Sequence, residues 1–152
     1  MTTVAIAIGS NIGDRRAHIE YAHSSLKLLL ANTRFAALFE TEPVGVPDVQ
    51  PPFLNGGAVG ETALSAAELL RALHAIERDR GRERPYSKAP RTLDLDLILY
   101  GGEVVDEPEL VLPHPRFRTR RFVLEPLQEI APDLVDPVTG RTLRELFLGL
   151  SR

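Results

Sequence analysis

The apolar pattern begins at once: Val4, Ile6 and Ile8 alternate with small alanines over residues 3–8, which predicts an interior strand packed on both faces. Asp14 can cap a helix in which Ile19, Ala22, Leu26 and Leu29 recur at helical spacing to about Leu30. Thr33 to Glu40, carrying Phe35, Leu38 and Phe39, reads as a strand. Pro43, Pro47, Pro51 and Pro52 then mark a loop that cannot pair in a sheet interior. Phe53 to Glu61 returns as a strand. Ser65 and Glu68 form a capping box before a helix whose apolar stripe is Leu69, Leu70, Leu73 and Ile76 and whose end is Gly81.

A polar loop from Arg82 to Ala89 leads into PRTLDLDLILY, where Leu93, Leu95, Leu97 and Leu99 alternate with Asp94, Asp96 and Ile98. This is the period of a half-buried strand. Val104 and Val105, after Gly101-Gly102, read as its hairpin partner. Pro113 and Pro115 frame His114 in an extended turn, and Thr119 can cap a helix from Arg120 that Pro126 keeps short or kinked. Thr142 and Glu145 make a second capping box, with Leu143, Leu146, Phe147 and Leu150 on an amphipathic last helix. The order β-α-β-β-α-β, with a small hairpin and two C-terminal helices, predicts an α+β, ferredoxin-like antiparallel sheet in a single domain over residues 1–152.

Composition narrows the class. The 43% hydrophobic and 26% charged content is that of a globular protein, and the absence of cysteine excludes disulfides and thiolate metal sites. The N-terminal apolar run has no basic flank and ends too early for a signal peptide or membrane span, so a cytoplasmic location and no membrane partner are expected. Net charge is −3, yet residues 78–91 carry a local +4 and residues 116–121 hold four arginines and no acid. That asymmetry favours localised anion sites over general nucleic-acid binding.

The two aspartates of the DLD strand pose an electrostatic problem. At about 3.3 Å rise per residue they face the same way, with Cα atoms roughly 6.6 Å apart. At an effective dielectric near 20 the two charges repel by about 3 kcal/mol, so a semi-buried face needs compensation, most simply a cation, whereas a solvated strand face with Arg91 as a surface charge needs none. Mg²⁺ fits, since it takes one or two carboxylates plus water and substrate phosphates, and Arg91 beside the pair suits phosphate. GSNIGD after the first strand looks like a phosphate cradle but lacks the third glycine of a dinucleotide fingerprint and the Gly-Lys-Ser/Thr of a P-loop.

Taken together, GSN, EPVG, FLN, GRER, PRTLDLDL and LPHPRFRTRRFVLEPL resemble, in order and spacing, the 6-hydroxymethyl-7,8-dihydropterin pyrophosphokinases of folate synthesis. The resemblance runs from Val4 to the last helix. It implies transfer of pyrophosphate from ATP to the pterin hydroxymethyl group, releasing AMP, with Asp94 and Asp96 ligating two Mg²⁺ ions. Arg82, Arg84 and Arg91 match the family's catalytic, phosphate-contacting arginines. Leu70, Leu97, His114 and Arg120 match its remaining ATP positions. For the pterin, Phe53 and Phe122 match a stacking pair, Asn55 the amide that reads the ring edge, and Thr41, Pro43 and Val44 backbone contacts. Glu77 matches a position near the site, for which an i,i+4 pair on its helix is the simpler reading. The family places an aromatic residue and glycine before Pro-Arg; here Lys88-Ala89 stands instead, with Tyr86 the nearest aromatic. A monomer is expected.

Two other readings share much of the pattern. A ferredoxin-like ligand-sensing module would have the fold without turnover, and a different metal-dependent nucleotidyl or phosphoryl transferase would also place aspartates on a strand. The nucleotide product separates them.

Overall fold

The computed structural model describes residues 1–42, 51–81 and 92–150. Strand β1 (Thr2–Ser10) is buried from Val4 onward and occupies the middle of the sheet. It pairs antiparallel with β4 (Phe53–Thr62) on one side and β5 (Asp94–Tyr100) on the other. On the far side of β4 lie β2 (Ala31–Phe35) and β3 (Phe39–Thr41), giving the order β2-β4-β1-β5 with β3 also on β4. Helices α1 (Arg15–Leu29) and α2 (Ala66–Asp79) connect β1 to β2 and β4 to β5. This is the expected ferredoxin-like arrangement, with the second strand of the β-α-β-β-α-β order divided into β2 and β3.

The capping chemistry acts where the sequence placed it. Asp14 accepts from the Ala17 amide, and Ser65–Glu68 and Thr142–Glu145 both form reciprocal capping boxes. Gly81 takes a φ of +71° just past α2, a conformation that costs glycine little.

Parity along β1 divides the core into two layers. Val4, Ile6 and Ile8 face α1 and α2, meeting Ile19, Leu26, Leu69 and Leu73. Ala5 and Ala7 face the C-terminal layer, made of α3 (Arg121–Ile130) and α4 (Leu143–Leu148), meeting Val123, Leu124, Leu127 and Leu143. Small side chains let α3 approach closely: a Cβ on Gly57 would stand 2.9 Å from Leu127 Cδ2. The C-terminal end of α3 is fixed at the β2 edge, where Arg34 donates to the Ile130 carbonyl at 2.7 Å.

The structure departs from the apolar pattern in four places. The segment 33–40 is two strands, because Leu38 folds over Gly56, where a Cβ would lie only 2.8 Å from Leu38 Cδ2, and the Ala37 amide donates to the Glu129 side chain. Val105 pairs with Leu112, so β6 (Val105–Glu107) and β7 (Leu110–Leu112) form their own two-stranded sheet rather than extending β5. Thr119 does not cap α3; it closes a 3₁₀ turn at Phe117–Thr119, its hydroxyl donating to the Arg116 carbonyl, and Arg120 is the cap residue.

The fourth departure is a β-bulge in β5. Ala5 pairs with Leu99 but Ile6 pairs with Leu97, so Ile98 is an extra residue. Leu93, Leu95 and Leu97 pack toward α1 and α2 as the alternation predicts, whereas Leu99 joins Ile98 in the C-terminal layer and Tyr100 returns to the first. The Ile98 carbonyl accepts the His114 backbone N–H at 2.9 Å, which ties the proline-framed turn to the bulge.

Candidate functional site

The register of three strands brings the candidate residues to one face. In antiparallel pairs, residues directly opposite each other point the same way. Asp94 pairs with Gly9, Gly9 with Asn55, and Asn55 with Phe39, so these four form one row across β5, β1, β4 and β3. Asp96 lies one step along, opposite Ala7. Phe53, two residues before Asn55, shares its face and approaches Gly9 from the other side. Both aspartates are half-buried. The strand period thus does to Asp94 and Asp96 what the sequence predicted, and the register adds Asn55 and Phe53 to the same surface.

Asn55 is 4% exposed, so the direction of its amide matters. Its Nδ2 donates to Thr41 Oγ1 at 2.7 Å, which turns Oδ1 toward Gly9. Thr41 was expected to contribute backbone; here its hydroxyl orients the amide. The C-terminal end of the proline loop is pinned from the GSNIGD segment and the first residue of α1, since Asn11 donates to the Pro51 carbonyl at 3.3 Å and Arg15 to that of Pro52 at 2.8 Å. Arg15 also pairs with Glu40 at 3.0 Å. The GSN motif therefore braces the segment that carries Phe53, a role its composition does not reveal.

A cleft of about 260 Å³ opens at the β5 edge between α2 and the β6–β7 hairpin. Leu70, Leu97 and His114, three of the candidate nucleotide-side residues, line it together with His74, Glu77, Asp96 and Glu109. Glu77 is 2% exposed, and its carboxylate accepts the Leu95 amide at 2.7 Å. The helical i,i+4 reading of Glu77 thus gives way to a contact with the strand between the two aspartates.

His114 Nδ1 accepts the Arg116 amide N–H at 3.2 Å, so its proton resides on Nε2. Burial, helped by the Arg120 guanidinium and opposed by Asp94, holds its pKa below the ordinary 6.5. At neutral pH it is an uncharged single donor.

The arginines of 116–121 separate into different roles. Arg118 is bidentate to Asp136, at 2.6 and 3.0 Å, and locks the 3₁₀ turn to the chain before α4. Arg121 lies over the Phe147 ring and 3.8 Å from Glu125. Arg120 lies over the Phe122 ring, 5.5 Å from its centroid, so a nucleotide-side candidate touches a pterin-side one. Arg120 is not among the residues lining the cleft, and Phe122 is 39% exposed in the first turn of α3. Pro43, Val44, Arg82, Arg84 and Arg91, with Tyr86, Lys88 and Ala89, lie outside the described residues.

Two carboxylates presented from one face of a strand are a partial oxygen shell suited to Mg²⁺, which completes its octahedron with water and phosphate oxygens. Among the described residues no group of three or more His, Cys, Asp or Glu side chains could hold a metal ion. No helix among them is long and apolar enough to cross a membrane.

The family model for 7,8-dihydro-6-hydroxymethylpterin-pyrophosphokinase (HPPK) matches residues 5–132. The chain is 44% identical over 157 residues to the 2-amino-4-hydroxy-6-hydroxymethyldihydropteridine pyrophosphokinase of Pseudomonas aeruginosa, covering 98% of this chain and 95% of that protein. The protein of the same name from Bacillus subtilis is 40% identical over 137 residues, covering 89% and 81% respectively. A solved Plasmodium falciparum HPPK-DHPS chain shares the fold at a TM-score of 0.74 and 13% identity, over 97% of this chain and 44% of its own length. The chain belongs to the 7,8-dihydro-6-hydroxymethylpterin-pyrophosphokinase family.

Proposed function

We propose that this protein transfers the β,γ-pyrophosphoryl group of ATP to 6-hydroxymethyl-7,8-dihydropterin, releasing AMP, in folate synthesis. The observation that carries the reading is the shared face: Asp94 and Asp96 stand on one sheet surface with Asn55 and Phe53, beside the cleft holding His114. A pyrophosphokinase needs that adjacency, because one edge of an aromatic heterocycle must meet the phosphates of a nucleotide.

In this reading Phe53 and Phe122 stack on the pterin, whose ring edge donates to Asn55 Oδ1. Pro43 and Val44 complete that pocket, Leu70 and Leu97 flank the nucleotide, and His114 Nε2–H donates to a phosphate oxygen. Asp94 and Asp96 would hold two Mg²⁺ ions, which would neutralise charge on the phosphates. The pterin hydroxymethyl oxygen attacks the β-phosphorus in line. The new O–P bond forms as the bond from that phosphorus to the α,β-bridging oxygen breaks, AMP leaves, and the hydroxyl proton is lost. Arg82, Arg84, Arg91 and Arg120 match charge on the phosphates, the loop arginines acting when both substrates are bound. The protein acts as a monomer in the cytoplasm and needs no nucleic acid or membrane.

Incubation with ATP, Mg²⁺ and the hydroxymethyl dihydropterin tests the assignment by its nucleotide product. AMP with the pterin diphosphate is expected. ADP would mean phosphoryl transfer and free pyrophosphate nucleotidyl transfer, and either would overturn it.

A further inference from the structure

Gly9 stands in the middle of the row that runs from Asn55 to Asp94, and among the described residues nothing asks for a glycine there. Its φ lies outside the left-handed region, and among the described atoms a Cβ built on it would come no closer than 3.7 Å to Phe53 Cδ1 and 3.8 Å to Asn55 Oδ1. These are ordinary contacts. The glycines of β4 are different: a Cβ would stand 2.8 Å from Leu38 at Gly56, 2.9 Å from Leu127 at Gly57 and 3.0 Å from Leu30 at Gly60. Those three are glycine because a neighbour fills the space. Glycine in a strand interior weakens the strand relative to alanine, so packing among the described residues does not explain the missing methyl at Gly9.

What distinguishes Gly9 is its position. Adjacent strands are about 4.8 Å apart, so Asn55 and Asp94 lie on the order of 10 Å apart with Gly9 midway. A heterocycle read by Asn55 Oδ1 and delivering an alcohol to phosphates beside Asp94 must pass its substituent carbon over this point. We infer that Gly9 is a specificity-determining residue, its bare Cα forming the floor on which the 6-hydroxymethyl arm lies, so that the site accepts a ring with an unhindered one-carbon arm. The inference rests on the pterin reading of Asn55 given above.

The test compares two probes, 6-hydroxymethylpterin and pterin without a 6-substituent, bound with Mg²⁺ and a non-hydrolysable ATP analogue to wild type, Gly9→Ala and Asn55→Ala. Gly9→Ala should fold, bind the nucleotide analogue unchanged, and lose about tenfold or more in affinity for the substituted probe, the effect one methyl makes in a filled pocket. The unsubstituted probe should change far less. Equal losses for both probes, no loss for either, or an unfolded Gly9→Ala would overturn the inference while leaving the proposed activity standing. Wild type that binds neither probe, or Asn55→Ala that binds both normally, would instead remove the pterin reading and the inference with it.

Discussion

Glu77 accepts the backbone N–H of Leu95 at 2.7 Å, and that amide lies between Asp94 and Asp96 on the edge strand of the sheet. An edge strand has unpaired backbone groups, and this one is satisfied by a buried carboxylate from α2 instead of by another strand. Glu77 thereby fixes the peptide that aims both aspartates. Glu77→Gln keeps an acceptor and should retain stability close to wild type. Glu77→Ala strands a buried donor and should lower stability by about 1–3 kcal/mol in urea titrations. It should also raise the Mg²⁺ concentration needed for half-maximal turnover.

Asp94→Asn and Asp96→Asn should each remove most turnover while leaving the far-ultraviolet circular dichroism of the wild type. Removing one carboxylate weakens cation binding on a surface that the fold does not need for packing. Near-normal turnover of both variants at saturating Mg²⁺ would refute their metal role. Arg82→Ala and Arg84→Ala should chiefly slow the chemical step in single-turnover assays, again with an unchanged spectrum; unfolding would make these arginines structural.

Three histidines predict how stability responds to acid. His18 accepts from Arg80 Nε at 3.0 Å, which only a neutral ring can do, and burial together with Arg80 holds its pKa down against Asp14. His23 stacks on Phe35 with its Nε2 buried, and burial together with Lys27 lowers its pKa against Glu20. His114 is lowered as well, by burial first. Each folded pKa lies below the ordinary 6.5, so stability is full above that pH and is lost as pH falls through the folded values. Urea midpoints should therefore be lower at pH 5 than at pH 7.5. His23→Phe, which keeps the stack and removes the titration, should flatten that dependence.

Asp136 predicts a second, more acidic transition. Burial pushes its carboxyl up, but the bonds from Arg118, Thr139 and the Val138 amide outweigh this and hold its pKa down at about 2, against 3.8 normally. The corresponding stability, roughly 2 kcal/mol, is present above pH 3.8 and is lost as pH falls through 2. Asp136→Asn should lower the neutral-pH stability by a similar amount and abolish this lowest-pH dependence, read from melting temperatures in a salt-matched pH series.

The element order and the faces of β1, α1 and α2 were legible because in each of them one period governs burial. The pairing of Asp94 with Asp96 was legible for the same reason. What adjoins them was not: that Asn55 and Phe53 share their surface follows from strand register, which β1 sets and no local pattern displays. Asn11, Arg15 and Glu77 were missed or misread, and the part of the Thr41 hydroxyl was not visible, because their partners are distant in sequence, Asn11 being 40 residues from Pro51 and Glu77 18 from Leu95. The arginine-rich run at 116–121 looked like one anion site, but a guanidinium bonded to a buried carboxylate, as at Arg118, and one lying over an aromatic ring, as at Arg120, have the same composition. Leu99 was misplaced because apolar alternation cannot register an extra residue that is itself apolar.

That extra residue, Ile98, has a consequence for how the protein tolerates change. Ahead of it, β5 delivers carboxylates upward and leucines to the α1–α2 side; behind it, the assignment of odd and even positions is reset. Chemistry and C-terminal packing are thereby uncoupled along a strand of seven residues. Leu99 can vary in step with Val123 and Leu124 without moving Asp94 or Asp96, and the carboxylate-bearing half can vary without loosening the C-terminal layer.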